Sequence, residues 1–408
     1  MWYVIIFLRS VALADKRRIK VKVSVKEICS VELHGKRRIF EKVIVVLLAI
    51  FVFGCSFFGA WTLGQAISRT YRADVKFEGE YKNVILMIGD GMGFNHIDCA
   101  EGYYGETTFM RAQSLGYSKT ITDSKALFGP TDSAAAATAL STGKKTDNGA
   151  IARYKGKGIL TNAELAKAKG MAVGIIASEG VSGATPAAFS SHADNRGDSE
   201  DIFDGQLLSN IDLFAGGKKD YYDERKDRIE NSGYKYVNDV AEGFGSAEKI
   251  WAAYDVKPLP ESDGDGITLT EIVEKSLSFL ENASENGYFL MIEESYIDKR
   301  SHANDIYGML ERMKSYDSAI EKTVTYARSR GDTLVVATAD HETGRLTIPK
   351  NADLKNPSER WFGHGGHTRR KVPFFYFSPI GRIADVIDNT QIADLCRYYI
   401  NNRQTLNK

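Results

Sequence analysis

The stretch Asn83-Val84-Ile85-Leu86-Met87-Ile88-Gly89-Asp90-Gly91-Met92-Gly93 decides the fold that we predict for this chain. The uninterrupted apolar run 84–88 is typical of a strand that is buried on both faces of a sheet. Asp90 follows at the carboxyl end of this strand, in a turn whose spacing does not match the dinucleotide fingerprint G-x-G-x-x-G. Ligands of open α/β sheets bind at the carboxyl ends of the strands, so we expect a site beside Asp90.

The same alternation of apolar strands and helices continues along the chain. We predict further strands at 171–177, 288–292, 333–338 and 372–377. Helices are predicted after the capping boxes that begin at Thr161 and Thr268, and over residues 307–330. Residues 197–265 are polar and rich in Gly and Asp, and we expect loops and short helices there, on the substrate side. The pattern predicts a doubly wound, largely parallel central sheet with helices on both faces.

Composition and charge narrow the class of protein. The 408 residues carry 53 Lys+Arg and 53 Asp+Glu, and are enough for one large α/β domain or two smaller ones. The charge is uneven: residues 1–42 hold 11 basic and 4 acidic residues, which leaves 42 basic against 49 acidic in the remainder. An acidic body argues against a nucleic-acid-binding surface and is compatible with divalent cations. The four cysteines form no CxxC motif, although Cys99 and Cys396 could pair in an oxidising compartment.

The N-terminal region has the pattern of a membrane anchor. Residues 43–63 contain no charged side chain and are long enough to cross a bilayer, and the basic arm 1–42 precedes them. The positive charges predict a cytoplasmic N-terminus and a membrane-anchored body outside the cytoplasm, in the periplasm or at the cell surface. Three readings remain open for residues 43–63: a retained transmembrane helix, a cleaved signal peptide, or a lipidated start at Cys55.

The stretch Gly129-Pro130-Thr131-Asp132-Ser133-Ala134-Ala135-Ala136-Ala137-Thr138 predicts the start of a helix. Residues 131–133 are all of the type that caps helices, and an Ala-rich run follows them. A serine in this place lies beside unpaired backbone N–H groups, which favour anions and above all phosphate. Ser133 is therefore either an ordinary cap or a nucleophile.

Seven side chains with metal-binding atoms lie near predicted strand ends or in a Gly-rich loop. They are His302, His341, His367, Asp90, Glu293, Asp298 and Asp340. The strand ends of such a sheet converge on one crevice, so we expect these residues to meet. Imidazole nitrogens together with carboxylate oxygens indicate a site for zinc and magnesium.

Six stretches together resemble the alkaline phosphatase family, in the order in which that family has them. They are residues 83–93, 131–134, 184–187, 293–302, 338–341 and 367–368. The resemblance covers about residues 81–380 and implies that residues 75–408 form an alkaline-phosphatase-like catalytic domain. It also implies a metal-dependent phosphate monoester hydrolase that acts on small phosphate monoesters through a phosphoserine intermediate, with two Zn²⁺ and one Mg²⁺.

The resemblance implies a role for each matching residue. Ser133 is similar to the nucleophile, and Arg196 to the guanidinium that grips two phosphate oxygens. Lys299 matches a position that holds a water near the phosphate in some members. The implied ligands are Asp298, His302 and His367 for the first zinc, Asp90, Asp340 and His341 for the second, and Asp90, Thr185 and Glu293 for magnesium.

The chain departs from the family pattern at three places. Gly183 stands where the family usually has Asp or His in the outer shell of the magnesium, which leaves the identity of the third metal open. Arg369 and Arg370 stand where Gly is common, and predict a more basic rim. Residues 342–366 are too few for the family's larger crown insertion, so we expect an open site and a homodimer, if one forms, without crown contacts.

Two other functions fit parts of the pattern. An enzyme of the same superfamily could prefer a phosphate diester or a sulfate ester, but such enzymes often use Thr, or a modified Cys or Ser in a different motif. A non-catalytic surface protein that binds metal or phosphate should lack an essential residue, and none is missing here. A phosphate monoesterase is therefore the function that we predict.

Overall fold

The computed structural model describes residues 77, 80–112, 114–120, 129–260, 266–377 and 386–402, all within a compact unit that spans residues 71–408. Its strands are β1 (Asn83–Gly89), β2 (Ser114–Lys119), β3 (Arg153–Tyr154), β4 (Lys157–Gly158), β5 (Ala172–Ala177), β6 (Leu213–Gly216), β7 (Lys235–Val237), β8 (Ile250–Ala253), β9 (Val256–Lys257), β10 (Ile267–Thr268), β11 (Tyr288–Glu294), β12 (Thr333–Thr338), β13 (Glu342–Thr343), β14 (His367–Thr368), β15 (Val372–Tyr376) and β16 (Val386–Asp388).

The helices alternate with these strands. They are α1 (Phe94–Tyr104), α2 (Ser133–Thr142), α3 (Asn162–Ala168), α4 (Ala184–Ser190), α5 (Ser199–Leu208), α6 (Lys219–Asp223), α7 (Lys226–Asn231), α8 (Leu269–Ala283), α9 (Tyr296–His302), α10 (Ile306–Arg330) and α11 (Asn389–Asn401), with 3₁₀ turns at Thr108–Arg111 and Glu359–Trp361. Helices α3 and α8 begin at the capping boxes of Thr161 and Thr268, as the sequence predicts.

One ten-stranded sheet forms the centre of the fold, in the order β16-β2-β15-β12-β1-β11-β5-β6-β8-β7. Among these strands, β15 runs antiparallel to both of its neighbours, and the other paired strands are parallel. The sheet is thus mixed rather than purely parallel, with helices on both faces. One apolar cluster contains residues of α1, α8, α9 and α10, and a second contains residues of α2–α7 and α11.

The prediction of loops and short helices for residues 197–265 was wrong in part. This segment supplies β6, β7 and β8, which extend the main sheet to its edge. Trp251 in β8 is fully buried there and packs against Phe214 and Tyr222. The strands have three or four residues each, so the apolar pattern of each one is too short to stand out from polar flanks.

The strand register places the ends of the central strands side by side. Ile88 in β1 lies opposite Glu293 in β11 and Thr338 in β12, and Glu293 lies opposite Ala177 in β5. Asp90 and Asp340 each follow two residues after one of these positions. The carboxyl edge of the sheet therefore gathers the acidic residues that the sequence placed at strand ends.

Two further predictions from the sequence concern a membrane anchor and a disulfide between Cys99 and Cys396. No helix among the described residues combines the length and apolar character that a membrane span requires, and the predicted anchor 43–63, with Cys55, lies outside those residues. Cys99 and Cys396 are free and buried. They pack in the two different apolar clusters, so the sheet keeps them apart and they form no disulfide.

Candidate active site

Helix α2 begins at the candidate nucleophile. Asp132 is the N-cap, because its Oδ1 accepts a hydrogen bond from the backbone N–H of Ala135 at 3.0 Å. The hydroxyl of Ser133 is therefore not needed as a cap. Its Oγ lies 3.2 Å from Nε2 of His341, and the residue is only 3% exposed. The structure gives the capping role to Asp132 and leaves Ser133 facing the histidines.

Arg196 lies beside the same helix start. Its Nη1 is 3.4 Å from Oδ2 of Asp132, which also accepts the backbone N–H of Gly149 at 3.0 Å. The backbone N–H of Arg196 donates to the carbonyl of Gly149 at 2.7 Å. The side chain is 42% exposed, so its planar fork remains accessible to an anion with two oxygens.

Asp298, His302 and His367 form the first candidate metal group. The Nε2 atoms of the two histidines are 3.1 Å apart, and the Asp298 carboxylate lies 3.2 Å from the first and 3.6 Å from the second. Their Nδ1 atoms lie 2.6 Å from the carbonyl of Gly365 and 2.9 Å from that of Thr131. A carbonyl only accepts, so each Nδ1 carries the hydrogen. In the neutral rings, two Nε2 lone pairs then face a carboxylate, as in a zinc site with oriented histidines.

His341 forms the second candidate group with Asp90 and Asp340. The hydroxyl of Thr343 donates to Asp298, so its oxygen accepts from Nδ1 of His341 at 3.2 Å. The lone pair of His341 Nε2 therefore points toward Asp90 Oδ1 at 3.5 Å and Asp340 Oδ2 at 3.3 Å. Both carboxylate oxygens are buried and have no hydrogen-bond partner among the described residues. Three electron-pair donors thus converge, and a cation is what satisfies them.

The two groups adjoin at His341. The ligand atoms of Asp298, His341 and His367 lie within 4.8 Å of one another, and so do those of Asp90, Asp340 and His341. The rings of His341 and His367 are stacked, with centroids 3.7 Å apart. This donor set fits two cations side by side, with Ser133 next to His341, whose ligand atom is close to donors of both groups.

Thr185 and Glu293 form a third candidate group with Asp90. Thr185 Oγ1 is buried without a partner of hydrogen-bond geometry among the described residues, although it lies close enough to Glu293 to lower the pKa of that carboxyl. Glu293 is 3% exposed and accepts the hydroxyl of Ser295 at 2.6 Å. A hydroxyl with two carboxylates is an oxygen donor set of the kind that magnesium prefers.

Burial shifts the pKa values of the acidic residues at this edge. It raises the pKa of Glu293 to about 8 and that of Asp340 to about 6. The pKa of Asp90 is also raised, first by burial and then by the charges of Asp340, Asp298 and Glu293. Burial acts in the same direction on Asp298, but the hydrogen bond from His302 and the neighbouring His341 outweigh it and hold its pKa low. Divalent cations would offset the mutual repulsion of these four carboxylates.

The histidines respond to the same environment. Burial lowers the pKa of His341 to about 4, and burial followed by the charge of His341 lowers the pKa of His367. Both rings are therefore neutral, which is the form that binds a metal. The hydrogen bond to Asp298 raises the pKa of His302 to about 8, so a proton competes with a cation at this position.

Comparison with known proteins shows the family to which the chain belongs. The sequence model of the family described as Alkaline phosphatase matches residues 81–405. The chain belongs to the alkaline phosphatase family. A relative from Bacillus subtilis (strain 168), Alkaline phosphatase 3, is 34% identical over 332 residues, which cover 76% of this chain and 70% of the relative. Alkaline phosphatases are enzymes that hydrolyse phosphate monoesters, and this chain is a phosphatase of that family.

Solved structures of the family show the same fold. The alkaline phosphatase of the Antarctic bacterium TAB5 superposes with a TM-score of 0.69 at 29% identity, over 80% of this chain and 99% of that one. A variant of the TAB5 enzyme, with a TM-score of 0.67 at 27% identity over 80% of this chain and 99% of its own, is described as having Mg bound in the M3 site. Both likenesses confirm the α/β architecture that the sequence predicted.

The structure places Lys299 differently from the other alkaline phosphatase positions. Its ammonium forms an ion pair with Glu179 and lies 4.7 Å from the centre of the Tyr296 ring. Glu179 also pairs with Lys218 at 3.2 Å. The predicted role of Lys299 at the phosphate stays a prediction. Its ion pair with Glu179 could not be predicted from the sequence.

Further residues that organise the site were missed in the sequence. His96 is fully buried and accepts the backbone N–H of Gly93 at Nδ1 (3.1 Å), so its Nε2 donates to Ser301 Oγ at 3.0 Å. This bridge ties the turn after β1 to α9, which carries Asp298. Gly91 in that turn has a φ of +75°, and a Cβ there would lie 2.8 Å from the Asp298 Cα. Of these two features, only the need for glycine at position 91 could be recognised from the sequence, since turns of this kind favour glycine.

Proposed function

We propose that this alkaline phosphatase hydrolyses small phosphate monoesters through a phosphoserine on Ser133, with two Zn²⁺ and one Mg²⁺. The observation that carries the proposal is the position of Ser133 Oγ, 3.2 Å from Nε2 of His341, a proposed ligand of the second zinc whose ligand atom also lies within 4.8 Å of those of Asp298 and His367. A serine hydroxyl is a weak nucleophile unless a base or a metal activates it. The proposal rests on this short distance and on the fact that Asp132, not Ser133, caps helix α2, which leaves the Ser133 hydroxyl available.

The residues present fit the three cations. The first zinc would be held by Asp298, His302 and His367, the second by Asp90, Asp340 and His341, and magnesium by Asp90, Thr185 and Glu293. The fit rests on the neutral imidazoles of His341 and His367, whose Nε2 lone pairs face carboxylates, and on the unpartnered oxygens of Asp90, Asp340 and Thr185. When bound, the cations lower the pKa of the serine hydroxyl and offset negative charge that builds up on the attacking and leaving oxygens.

The chain's own residues account for the two steps. Arg196 binds two phosphoryl oxygens through its planar fork, and the N-terminus of α2 adds favourable backbone N–H groups. Ser133 Oγ gives up its proton to solvent and forms a bond to phosphorus in line with the leaving oxygen. The bond between phosphorus and the leaving oxygen breaks, and this oxygen takes a proton from water and departs as the alcohol. A water oxygen then bonds to the same phosphorus, and the bond to Ser133 Oγ breaks to release inorganic phosphate. Deprotonated serine and water are needed, so we expect an alkaline optimum.

Hydrolysis of matched nitrophenyl esters tests this proposal. We expect the full-length protein to cleave the phosphate monoester faster as pH rises from 7 to 10. Chelation should abolish the activity, and zinc with magnesium should restore it. The nitrophenyl phosphate diester and the nitrophenyl sulfate serve as controls for the reaction class. A metal-loaded protein that hydrolyses either of them faster than the monoester contradicts the proposal.

We also propose that residues 43–63 attach the enzyme to a membrane, with the catalytic domain outside the cytoplasm. The support is the uncharged run after a basic arm. Fractionation of cells that express the full chain should find it with the membranes, and protease added outside the membrane should cleave the catalytic domain. Recovery of the protein in the cytosol contradicts this. A homodimer, if it forms, should not change these results, because all the proposed ligands come from one chain.

A further inference from the structure

Gly183 lies two residues before the proposed magnesium ligand Thr185, and a Cβ on it would lie 3.2 Å from the carbonyl oxygen of Gly180 and close to Glu179. Gly183 is the N-cap of α4 and has no side chain to offer. A Cβ built on Gly183 would lie 3.7 Å from Oε2 of Glu179. The backbone turns back at this point, because the N–H of Gly183 donates to the carbonyl of Gly180 at 2.9 Å. This turn brings the Glu179 carboxylate to the place toward which a longer side chain at position 183 would point.

Glu179 is also connected to Glu293. The register places Ala177 opposite Glu293, so the chain after β5 passes beside this carboxylate. The hydroxyl of Ser295 donates to Glu293 Oε2 at 2.6 Å and accepts the backbone N–H of Glu179 at 3.4 Å. The charge of Glu179 is one of those that raise the pKa of Glu293, after burial and Asp340. Glu179 therefore belongs to the same group of negative charges as the proposed magnesium ligands.

The Glu179 side chain is held in place by two lysines. Its Oε1 pairs with Lys299 and with Lys218, the latter at 3.2 Å, and the side chain is 17% exposed. Lys299 directly follows the proposed zinc ligand Asp298. The two oxygens of this carboxylate thus have different neighbours: Oε2 lies near Gly183, and Oε1 pairs with both lysines.

We propose that Glu179 supplies the outer carboxylate of the third cation site that Gly183 lacks, and that it strengthens the binding of Mg²⁺ there. The inference rests on the metal site of the proposed function and deepens it. A magnesium ion keeps several waters and is commonly bound through one or two carboxylates, so an outer carboxylate matters for its affinity. Outer partners of metal sites typically contribute about 10- to 100-fold in affinity.

Titration of Mg²⁺ into the zinc-loaded, full-length protein tests this assignment. Calorimetry gives the Mg²⁺ affinity, and mass spectrometry of the same sample counts zinc. We expect Glu179→Gln to weaken Mg²⁺ binding by about 10- to 100-fold, with the zinc content unchanged. Glu200→Gln is the matched control, because Glu200 also pairs with two cationic side chains, Arg225 and Arg228, at 2.7 and 2.9 Å. That variant should bind Mg²⁺ like the wild type.

Two further variants separate a role at the cation from a role in holding Lys299. Gly183→Asp in the Glu179→Gln background should restore Mg²⁺ affinity, because Gly183 has extended N-cap geometry that Asp adopts readily. Lys299→Gln should leave Mg²⁺ affinity unchanged or tighter, since it removes only a positive charge. Equal weakening by Glu179→Gln and Lys299→Gln overturns the proposal, as does a Glu179→Gln affinity within about twofold of the wild type, well below the typical outer-partner effect.

The readout is independent of catalysis. A wild-type protein that binds Mg²⁺ tightly but cleaves no monoester contradicts the proposed function and leaves this inference standing. A wild-type protein that cleaves monoesters with only two metal ions per chain contradicts the inference and the magnesium of the proposed function, and leaves the phosphoserine reaction standing.

Discussion

At the scale of single residues, the neighbours Asp132 and Ser133 have different roles at the start of helix α2. Both residue types cap helices, so the sequence alone could not say which one does. Asp132 takes the cap and also binds Gly149 and Arg196 through its second oxygen. Ser133 is thereby left 3.2 Å from His341. The same carboxylate therefore positions the helix, the arginine and the free hydroxyl.

Replacing the hydroxyl of Ser133 tests its role as the nucleophile. We expect Ser133→Ala to lower kcat by at least about a thousand-fold, because the first bond to phosphorus can no longer form. Metal content should be unchanged, since no ligand is removed. Ser141→Ala is a suitable control, because Ser141 lies in the same helix and donates to the carbonyl of Ala188 at 2.6 Å. Unchanged turnover in Ser133→Ala excludes the nucleophile role.

Removing the Asp298 carboxylate tests the first zinc position. The Asp298 oxygens lie 3.2 and 3.6 Å from Nε2 of His302 and of His367. We expect Asp298→Ala to lose about one zinc per chain by elemental analysis, and activity with it, because two imidazoles alone hold zinc weakly. Asp317→Ala removes another buried carboxylate, one that accepts the Thr108 N–H at 2.6 Å, and should keep all its zinc. A full zinc complement in Asp298→Ala refutes the ligand assignment.

Residue types could be predicted from the sequence better than their partners could. The acids and histidines could be singled out from the sequence because seven of them are predicted to converge on one edge of the sheet, although each one alone is more often an ordinary turn residue. The sequence alone could not indicate that the carbonyls of Thr131 and Gly365 orient two histidines, or that Thr343 orients the third. The first two contacts join residues 236 and 63 positions apart in the chain, and no local pattern marks Thr343, two residues after His341, as the partner of that ring. Glu179 was missed because its partners Ser295 and Lys299 are also distant in the chain.

At the scale of secondary-structure elements, the long apolar strands were predictable and the short ones were not. Strand β12 was predicted residue for residue, and β1, β5, β11 and β15 within two residues at each end. The antiparallel direction of β15 could not be read from its composition, because an apolar run looks the same in either direction. The strands within 197–265 were missed because burial of only three or four residues gives too weak a periodicity.

The side chain of His192 connects helix α3 with Ala152, the residue just before strand β3. Its Nδ1 lies 2.8 Å from the carbonyl of Ala152 and its Nε2 lies 2.8 Å from Glu164 Oε1. Both partners accept, so both contacts are made only when both ring nitrogens carry hydrogen. The hydrogen bond to Glu164 accordingly raises the pKa of His192, although partial burial and Arg153 act against it. The bridge ties the chain between α4 and Arg196 to α3 and to the β3–β4 hairpin.

The bridge predicts a pH-dependent stability. Since folding raises the pKa of His192, its contribution is complete below the unfolded value of about 6.5 and is lost as pH rises through the folded value. We expect His192→Gln to cost about 1 kcal/mol at pH 6, a modest value for a half-exposed pair, and less at pH 10. Thermal unfolding at the two pH values measures this, and Glu164→Gln should flatten the pH dependence in the same way. If His192→Gln lowers the free energy of unfolding equally at both pH values, this contradicts the His192 bridge.

At the scale of the whole molecule, the carboxyl edge of the sheet concentrates like charges that the fold must offset. Asp90, Glu293, Asp298 and Asp340 lie together there, and all four are buried. Ligands that bind only the folded state stabilise it. We expect chelation to lower the unfolding temperature by at least about 5 °C, and zinc with magnesium to reverse this. The unfolding temperature of the Asp298→Ala variant should fall by less on chelation. If the unfolding temperature of the wild type does not change when the chelator is added, this contradicts bound metals.

The most direct test of the account is to trap the phosphorylated enzyme. The metal-loaded full-length protein is mixed with a phosphate monoester, quenched in acid within one turnover, digested and analysed by mass spectrometry. We predict one phosphate on the peptide that contains Ser133, absent after chelation and absent in Ser133→Ala. Turnover with no phosphorylated peptide at any quench time, or with the phosphate on another residue, contradicts the central claim that Ser133 is the nucleophile.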